Sequence, residues 1–107
     1  MIYELRRYVP AEGKAEALAA RFRDHTFPLL SKLGKRVVTT WEAADRSGEV
    51  WFVIEYASLE DMKATTAEFL AHPDWKLAKE LTETDGPLFT KVEAFPLVAS
   101  DLGAKTE

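Results

Sequence analysis

The stretch VWFVIEYA, residues 50 to 57, decides how this chain folds. It is dense in β-branched and aromatic side chains and gives the strongest strand signal in the sequence. Successive side chains of a strand point to opposite faces. Val50, Phe52, Ile54 and Tyr56 therefore share one face, apolar throughout, while Trp51, Val53, Glu55 and Ala57 share the other. The second face still carries Trp51 and Val53, so both sides of this strand ask for cover.

Reading outward, RVVTTWEA at 36 to 43 is a second strand, and ADRSGE turns the chain around Ser47 and Gly48. The two strands form a hairpin with a loop of about five residues. From Ala11 to about Leu33 the apolar positions Leu18, Phe22, Leu29 and Leu33 recur at spacings of four, seven and four, one face of a helix. Gly34 caps it, with Lys32 in the last turn. Pro28 lies inside this helix, three residues after His25. It has no N–H to give the Asp24 carbonyl, which predicts a kink there.

IYELRRYV at 2 to 9 alternates as a strand and is closed by Pro10 and Gly13. After the hairpin, Ser58 caps a helix with Asp61 at its third position, and this helix runs to about Ala71. His72-Pro73 starts a second piece, DWKLAKELTE, which ends before Gly86-Pro87. PLFTKVEAFPLV then reads as a strand through about residue 95. The order is β-α-β-β-α-β. It predicts an α+β, ferredoxin-like split βαβ fold: an antiparallel four-stranded sheet with both helices on one face.

A chain of 107 residues suits one domain. We expect it over 1–98, with a flexible tail over 99–107. The net charge of −4 comes from 18 acidic and 14 basic residues, the latter scattered, which argues against nucleic acid as a partner. Lys32, Lys35 and Arg36 are the densest basic stretch and read as the positive end of a helix. The opening MIYELRRYV has no long apolar run, so neither a signal peptide nor a membrane span is expected. The absence of cysteine removes disulfides and thiolate chemistry and suits a cytoplasmic setting.

Two helices cover one sheet face only. The simplest cover for the other is a second copy of the same sheet packed about a two-fold axis, which predicts a homodimer. In the first strand Tyr3, Leu5 and Val9 match the helix-facing set by polarity. That leaves Ile2, Glu4, Arg6 and Tyr8 beside Trp51 and Glu55 in the space between sheets, with Trp41 joining them. One arginine between two carboxylates is then either a salt-bridge set that fixes dimer register or the polar end of a ligand site. Glu4, Trp41, Trp51 and Glu55 are the candidate ligand-binding residues.

No phosphate-binding glycine pattern, zinc spacing or nucleophile elbow appears, and neither a metal nor a cofactor is expected. His25 sits in the apolar stripe between Phe22 and Leu29, so it is either core filling or, with its pKa near neutrality, a general acid or base. His72 reads as a helix-junction residue.

Several stretches in this order resemble the NIPSNAP family, within the dimeric α+β barrel superfamily. They are MIYELRRY followed by PAEGK, the H-x-x-P of His25 to Pro28, LGKRVVTTW, FVIEYASLED and the HPDW break. The resemblance covers roughly residues 1 to 97 and implies pairing of sheets into a barrel. It carries no catalytic residue set. The leading expectation is a homodimer whose barrel or cleft binds a small, partly apolar molecule. One alternative is a cofactor-independent oxygenase or isomerase, with His25 or Tyr8 moving a proton and Arg6 stabilising negative charge. Another is a protein-interaction module.

Overall fold

The computed structural model describes residues 1–103. Its strands are β1 (Ile2–Pro10), β2 (Arg36–Glu42), β3 (Val50–Tyr56) and β4 (Phe89–Leu97). Its helices are α1 (Ala15–Arg21), α2 (Phe27–Lys32), α3 (Leu59–Ala71) and α4 (Pro73–Thr82), with a π segment at Phe22–Thr26 between the first two. The strands join in the order β2-β3-β1-β4, and every neighbouring pair is antiparallel. This is the ferredoxin-like α+β arrangement, with β1 and β3 at the centre.

β3 behaves as its alternation predicts. Val50, Phe52, Ile54 and Tyr56 are buried, and the residues between them are half-buried. The buried set packs with Leu18, Phe22, Leu30 and Leu88 into one core under the helices. Each such side chain is worth about 1.5–3 kcal/mol when fully buried.

β1 corrects the reading made from polarity. Its register with β3 sets Ile2 opposite Tyr56, Glu4 opposite Ile54, Arg6 opposite Phe52 and Tyr8 opposite Val50. Directly paired residues share a face. Ile2, Glu4, Arg6 and Tyr8 therefore lie under the helices, and Tyr3, Leu5, Arg7 and Val9 lie on the open face with Trp51, Val53 and Glu55. The strand follows the register, and the more polar of its two faces is the one that enters the core.

The long helix departs from expectation at its start and in the middle, and ends as expected at Lys32, ahead of Gly34. It begins at Ala15, because Ala11 to Lys14 form a turn closed by the Lys14 N–H on the Ala11 carbonyl at 2.9 Å. The irregularity expected at Pro28 sits upstream, where the chain widens into the π segment and the Phe27 N–H reaches back five residues to the Phe22 carbonyl. Widening the turn before a proline relieves the clash between its ring and the carbonyl of residue 24.

The second helical region matches closely. The Asp61 N–H donates to Ser58 Oγ at 3.0 Å, while the Asp61 carboxylate accepts from the Ala57 N–H at 2.9 Å. His72 caps α4 through Nδ1, which accepts from the Asp74 N–H at 3.0 Å. The basic stretch is spent in ion pairs, Lys32 with Asp74 at 2.9 Å and Lys35 with Asp61 at 2.7 Å.

The hairpin loop spans 43–49, longer than expected. β4 also continues past residue 95 to Leu97, since an edge strand tolerates the missing N–H of Pro96. Residues 98–103 are in neither helix nor strand, and the rest of the expected tail, from 104 on, lies outside the described residues. Among the described residues no helix is long and apolar enough to cross a membrane.

Candidate functional site

Between the helix-facing side of the sheet and the helices lies a cavity of about 200 Å³. β1 contributes Arg6 and Tyr8, β3 contributes Phe52, Ile54 and Tyr56, and β4 contributes Phe89 and Val92. Arg21, Phe22, Leu30, Thr65, Phe69 and Trp75 close it from the helical side. The walls are mainly aromatic and aliphatic, with few polar groups, which is the composition of small-molecule sites.

Aromatic packing holds the Tyr8 ring firmly. It stacks on Phe52 at 5.8 Å and meets the edges of Phe22 and Phe89 at 4.8 and 5.0 Å. Such contacts fix its orientation beyond what burial alone would do. Burial pushes the Tyr8 phenol above its ordinary pKa, against the pull of the neighbouring Arg6 cation. Burial, reinforced by the Glu4 carboxylate, raises Tyr56 to about 12. Both phenols are protonated near neutrality and can donate.

The two arginines at the cavity differ in kind. Arg21 is 3% exposed, bonds Glu83 Oε2 at 2.7 Å and Thr82 Oγ1 at 3.3 Å, and lies over the rings of Trp75 and Phe89. Glu83 matches its charge, and both bonds are made by Nη1. Arg6 makes one long hydrogen bond, from Nη1 to Glu4 Oε1 at 3.4 Å, lies 5.4 Å from the centre of the Tyr8 ring, and has its Nε buried with no partner among the described residues.

The residues singled out from sequence fall in three places. Arg6 and Tyr8 meet in the cavity with Glu4 beside them. Trp41, Trp51 and Glu55 are on the opposite, open face, Trp41 directly across from Trp51 and Glu55 only 3.9 Å from Arg36. The proposed Glu4-Arg6-Glu55 set therefore does not form, since the sheet stands between Arg6 and Glu55. His25 is in neither place. It borders a shallow groove with Pro28, Leu29, Asp74, Leu77 and Leu81, apart from Arg6 and Tyr8.

An arginine held between two carboxylates does exist, one position along, where Arg7 grips Glu49 through Nε and Nη2 at 2.8 and 2.7 Å and Glu93 through Nη1 at 2.6 Å. The guanidinium lies 5.5 Å from the Trp51 ring, and Trp51 Nε1 donates to Glu49 at 3.2 Å. On this face the network joins β1, β4 and the hairpin loop.

Arg21, Tyr56 and Trp75 were not among the residues chosen from sequence. Arg21 carried a usable signal: it falls three residues after Leu18 and next to Phe22, inside the apolar stripe, where an unpaired cation would be costly. Tyr56 read as core, and Trp75 sits in a helix that its charged neighbours marked as solvated.

Comparison with known proteins adds a family. The NIPSNAP family model matches residues 3–88. Similar solved structures include an uncharacterised NIPSNAP domain protein from Burkholderia xenovorans, 19% identical, with 98% of this chain and 100% of that one aligned at a TM-score of 0.78. A NIPSNAP family protein of unknown function from Agrobacterium tumefaciens is 22% identical, with 96% and 91% of the two chains aligned at 0.78. A Nitrosomonas europaea protein provisionally assigned as an antibiotic biosynthesis monooxygenase is 13% identical, with 92% and 98% aligned at 0.66. Identities this low make the likeness one of fold. No curated protein matches the sequence.

Proposed function

The chain belongs to the NIPSNAP family, and from that premise we propose that it is a small-molecule-binding protein that works as a homodimer and holds a partly apolar ligand in the cavity between sheet and helices. The observation that carries this reading is the cavity itself, an aromatic enclosure of about 200 Å³ with Arg6 on its wall. A core serving stability alone is packed nearly without voids. Arg6 would be a costly choice for such a core, because a half-buried cation with one long ion pair is only partly matched.

The homodimer is supported by the open sheet face. Trp41, Phe95 and Leu97 are 50, 43 and 48% exposed there, beside the half-buried Trp51 and Val53. A second sheet packed on this face would bury them, and the Arg7 network would then lie between the two sheets. A cytoplasmic setting fits a chain without cysteine.

Two experiments test the proposal. Mass spectrometry of small molecules released from natively purified protein should find a stoichiometric ligand. Light scattering on a sizing column at micromolar concentration should give twice the 12.1 kDa chain mass. Protein that is ligand-free from its native host and takes up no apolar probe would end the binding reading, and a monomer would end the dimer.

A catalytic reading has narrower support, from the meeting of Arg6 and Tyr8 in one cavity. A cofactor-independent oxygenase or isomerase at this site would draw its proton transfer from Tyr8, with Arg6 stabilising negative charge and His25 taking no direct part. The protein-interaction reading rests on Leu70, Leu77 and Leu81, which α3 and α4 leave more than half exposed.

A further inference from the structure

We infer that the ligand of this cavity is an uncharged molecule with a ring-sized apolar body and a carbonyl oxygen, and that the Arg21 guanidinium donates to this oxygen through Nε and Nη2. The inference rests on the cavity being a binding site and adds the chemical class of what it binds.

The first support is the state of Arg21. Its hydrogen bonds to Glu83 and Thr82 are both made by Nη1, so Nε and Nη2, which share one edge of the guanidinium, have no partner among the described residues. Among those residues the only unmatched side-chain nitrogen or oxygen closed to water is Arg6 Nε. The unmatched nitrogens of Arg21 are therefore within reach of a small molecule. Arg21 is only 3% exposed, and the open space it borders is the cavity. Donors left open in this way are satisfied by what fills that space.

The second support is the chemistry beside it. Tyr8 and Arg21 pack against the same ring, Phe89, at 5.0 and 5.8 Å. Burial keeps the Tyr8 phenol protonated, although the Arg6 and Arg21 charges pull the other way. A guanidinium has no acceptor, and a protonated phenol donates. This end of the cavity calls for an oxygen that accepts, and one carbonyl oxygen has two lone pairs for Nε and Nη2 together.

Charge decides between a carbonyl and a carboxylate. Both cations on the cavity wall already have a carboxylate, Arg6 with Glu4 at 3.4 Å and Arg21 with Glu83 at 2.7 Å. Arg7 does hold two, Glu49 and Glu93, but its side chain is 24% exposed and that of Glu93 34%, so water shares the excess charge. Beside the buried Arg21 a second carboxylate would add an uncompensated charge to an apolar enclosure, which costs far more than an uncharged acceptor.

Size and lining supply the apolar half. A cavity of about 150 Å³ accommodates benzene, and a space somewhat larger accepts one substituted ring. Phe52, Phe69, Trp75 and Phe89 offer ring faces and edges for such a body.

Isothermal titration of the whole protein at neutral pH, stripped of bound ligand, tests the inference with three probes of nearly one shape: acetophenone, benzoate and isopropylbenzene. We expect the ketone to bind at least about tenfold more tightly than the acid, because only the acid brings a net charge into the enclosure. Arg21→Met should weaken the ketone by about tenfold relative to the hydrocarbon, the loss of a hydrogen bond from a charged donor. Arg21→Lys should recover only part of this, because the charge returns without the paired nitrogens. Infrared difference spectra of isotope-labelled acetophenone on the wild type should show the carbonyl stretch lowered from its position in hydrocarbon solvent, and Tyr8→Phe should keep most of that shift. An acid that binds as tightly as the ketone overturns the uncharged class and leaves the cavity reading intact. A ketone-to-hydrocarbon ratio unchanged in Arg21→Met overturns the role of Arg21. Binding of none of the three overturns this inference and the cavity reading together. If neither Arg21 variant folds, the infrared spectra decide: an unshifted stretch in the wild type, or a shift lost in Tyr8→Phe, overturns the bond to Arg21.

Discussion

Arg6 stands directly across the ladder from Phe52, so a guanidinium shares the sheet face that carries the aromatic core. Its one ion-pair partner there is Glu4, itself 6% exposed. Replacing Arg6 by methionine alone strands that carboxylate and should cost about 1–3 kcal/mol. The double variant Glu4→Met with Arg6→Met should return to within about 1 kcal/mol of wild type or exceed it, as exchange of a buried pair for apolar residues often does. Urea denaturation of all four proteins measures the coupling. If the two single losses simply add in the double variant, the two residues are not a pair.

The phenols predict an alkaline weakness. A group whose folded pKa lies above its unfolded value contributes stability that is complete below the unfolded value and is lost as pH rises through the folded one. For Tyr56 that window opens at the ordinary 10.0 and closes near 12. Stability should therefore fall across this range, and Tyr56→Phe should flatten the fall. Ultraviolet titration of phenolate should show Tyr8 and Tyr56 ionising late. Full ionisation of all three tyrosines near the ordinary value, with the fold intact, would contradict the burial described for these two.

At the acid end, the Lys35 ammonium and then the Ala57 N–H hold the Asp61 carboxyl below its ordinary 3.8. A depressed carboxylate contributes stability above its unfolded pKa and loses it as pH falls through the folded one. The loss should therefore come below about pH 4, and Asp61→Asn should lessen the acid dependence. Thermal melts at several pH values give the slope, and an unchanged slope in the variant would remove Asp61 from the account.

Phe95 is 43% exposed on the open sheet face. Phe95→Glu should leave the monomer fold intact by circular dichroism, because the helix-side core is untouched. It should convert the proposed dimer to monomer, since two uncompensated carboxylates would enter the interface. A variant that remains dimeric would move the interface elsewhere.

Gly48 sets the hairpin loop against α1. Its φ is +87°, and a Cβ there would come within 2.6 Å of the Ala15 Cβ. Gly48→Ala should cost about 1–3 kcal/mol through strained backbone and clash together. Adding Ala15→Gly should recover only the part due to the clash. Full recovery would show that the left-handed backbone at residue 48 costs nothing.

The order of elements was open to sequence reasoning because its signals are local. Ser58 and His72 cap helices from their own side chains, Gly34 ends one, and the alternation of VWFVIEYA places a central strand without reference to anything else. The π segment before Pro28 was half legible. A proline announces a disturbed helix, but neighbouring packing chooses where the turn widens, and here it widens over Phe22, a buried core residue.

The candidate site was legible as a set of residues and misplaced as a location. Alternation in IYELRRYV groups Ile2, Glu4, Arg6 and Tyr8 on one face with certainty, since successive side chains must diverge. Which face turns inward is not a local property. Polarity assigned Tyr3, Leu5 and Val9 to the core, but the pairing of β1 with β3 put Glu4 and Arg6 there. Local chemistry thus determined the strands, caps and residue groupings by itself. Only the long-range register decided that the polar group of β1 lies beneath the helices, where Arg6 and Tyr8 join the aromatic wall of the cavity.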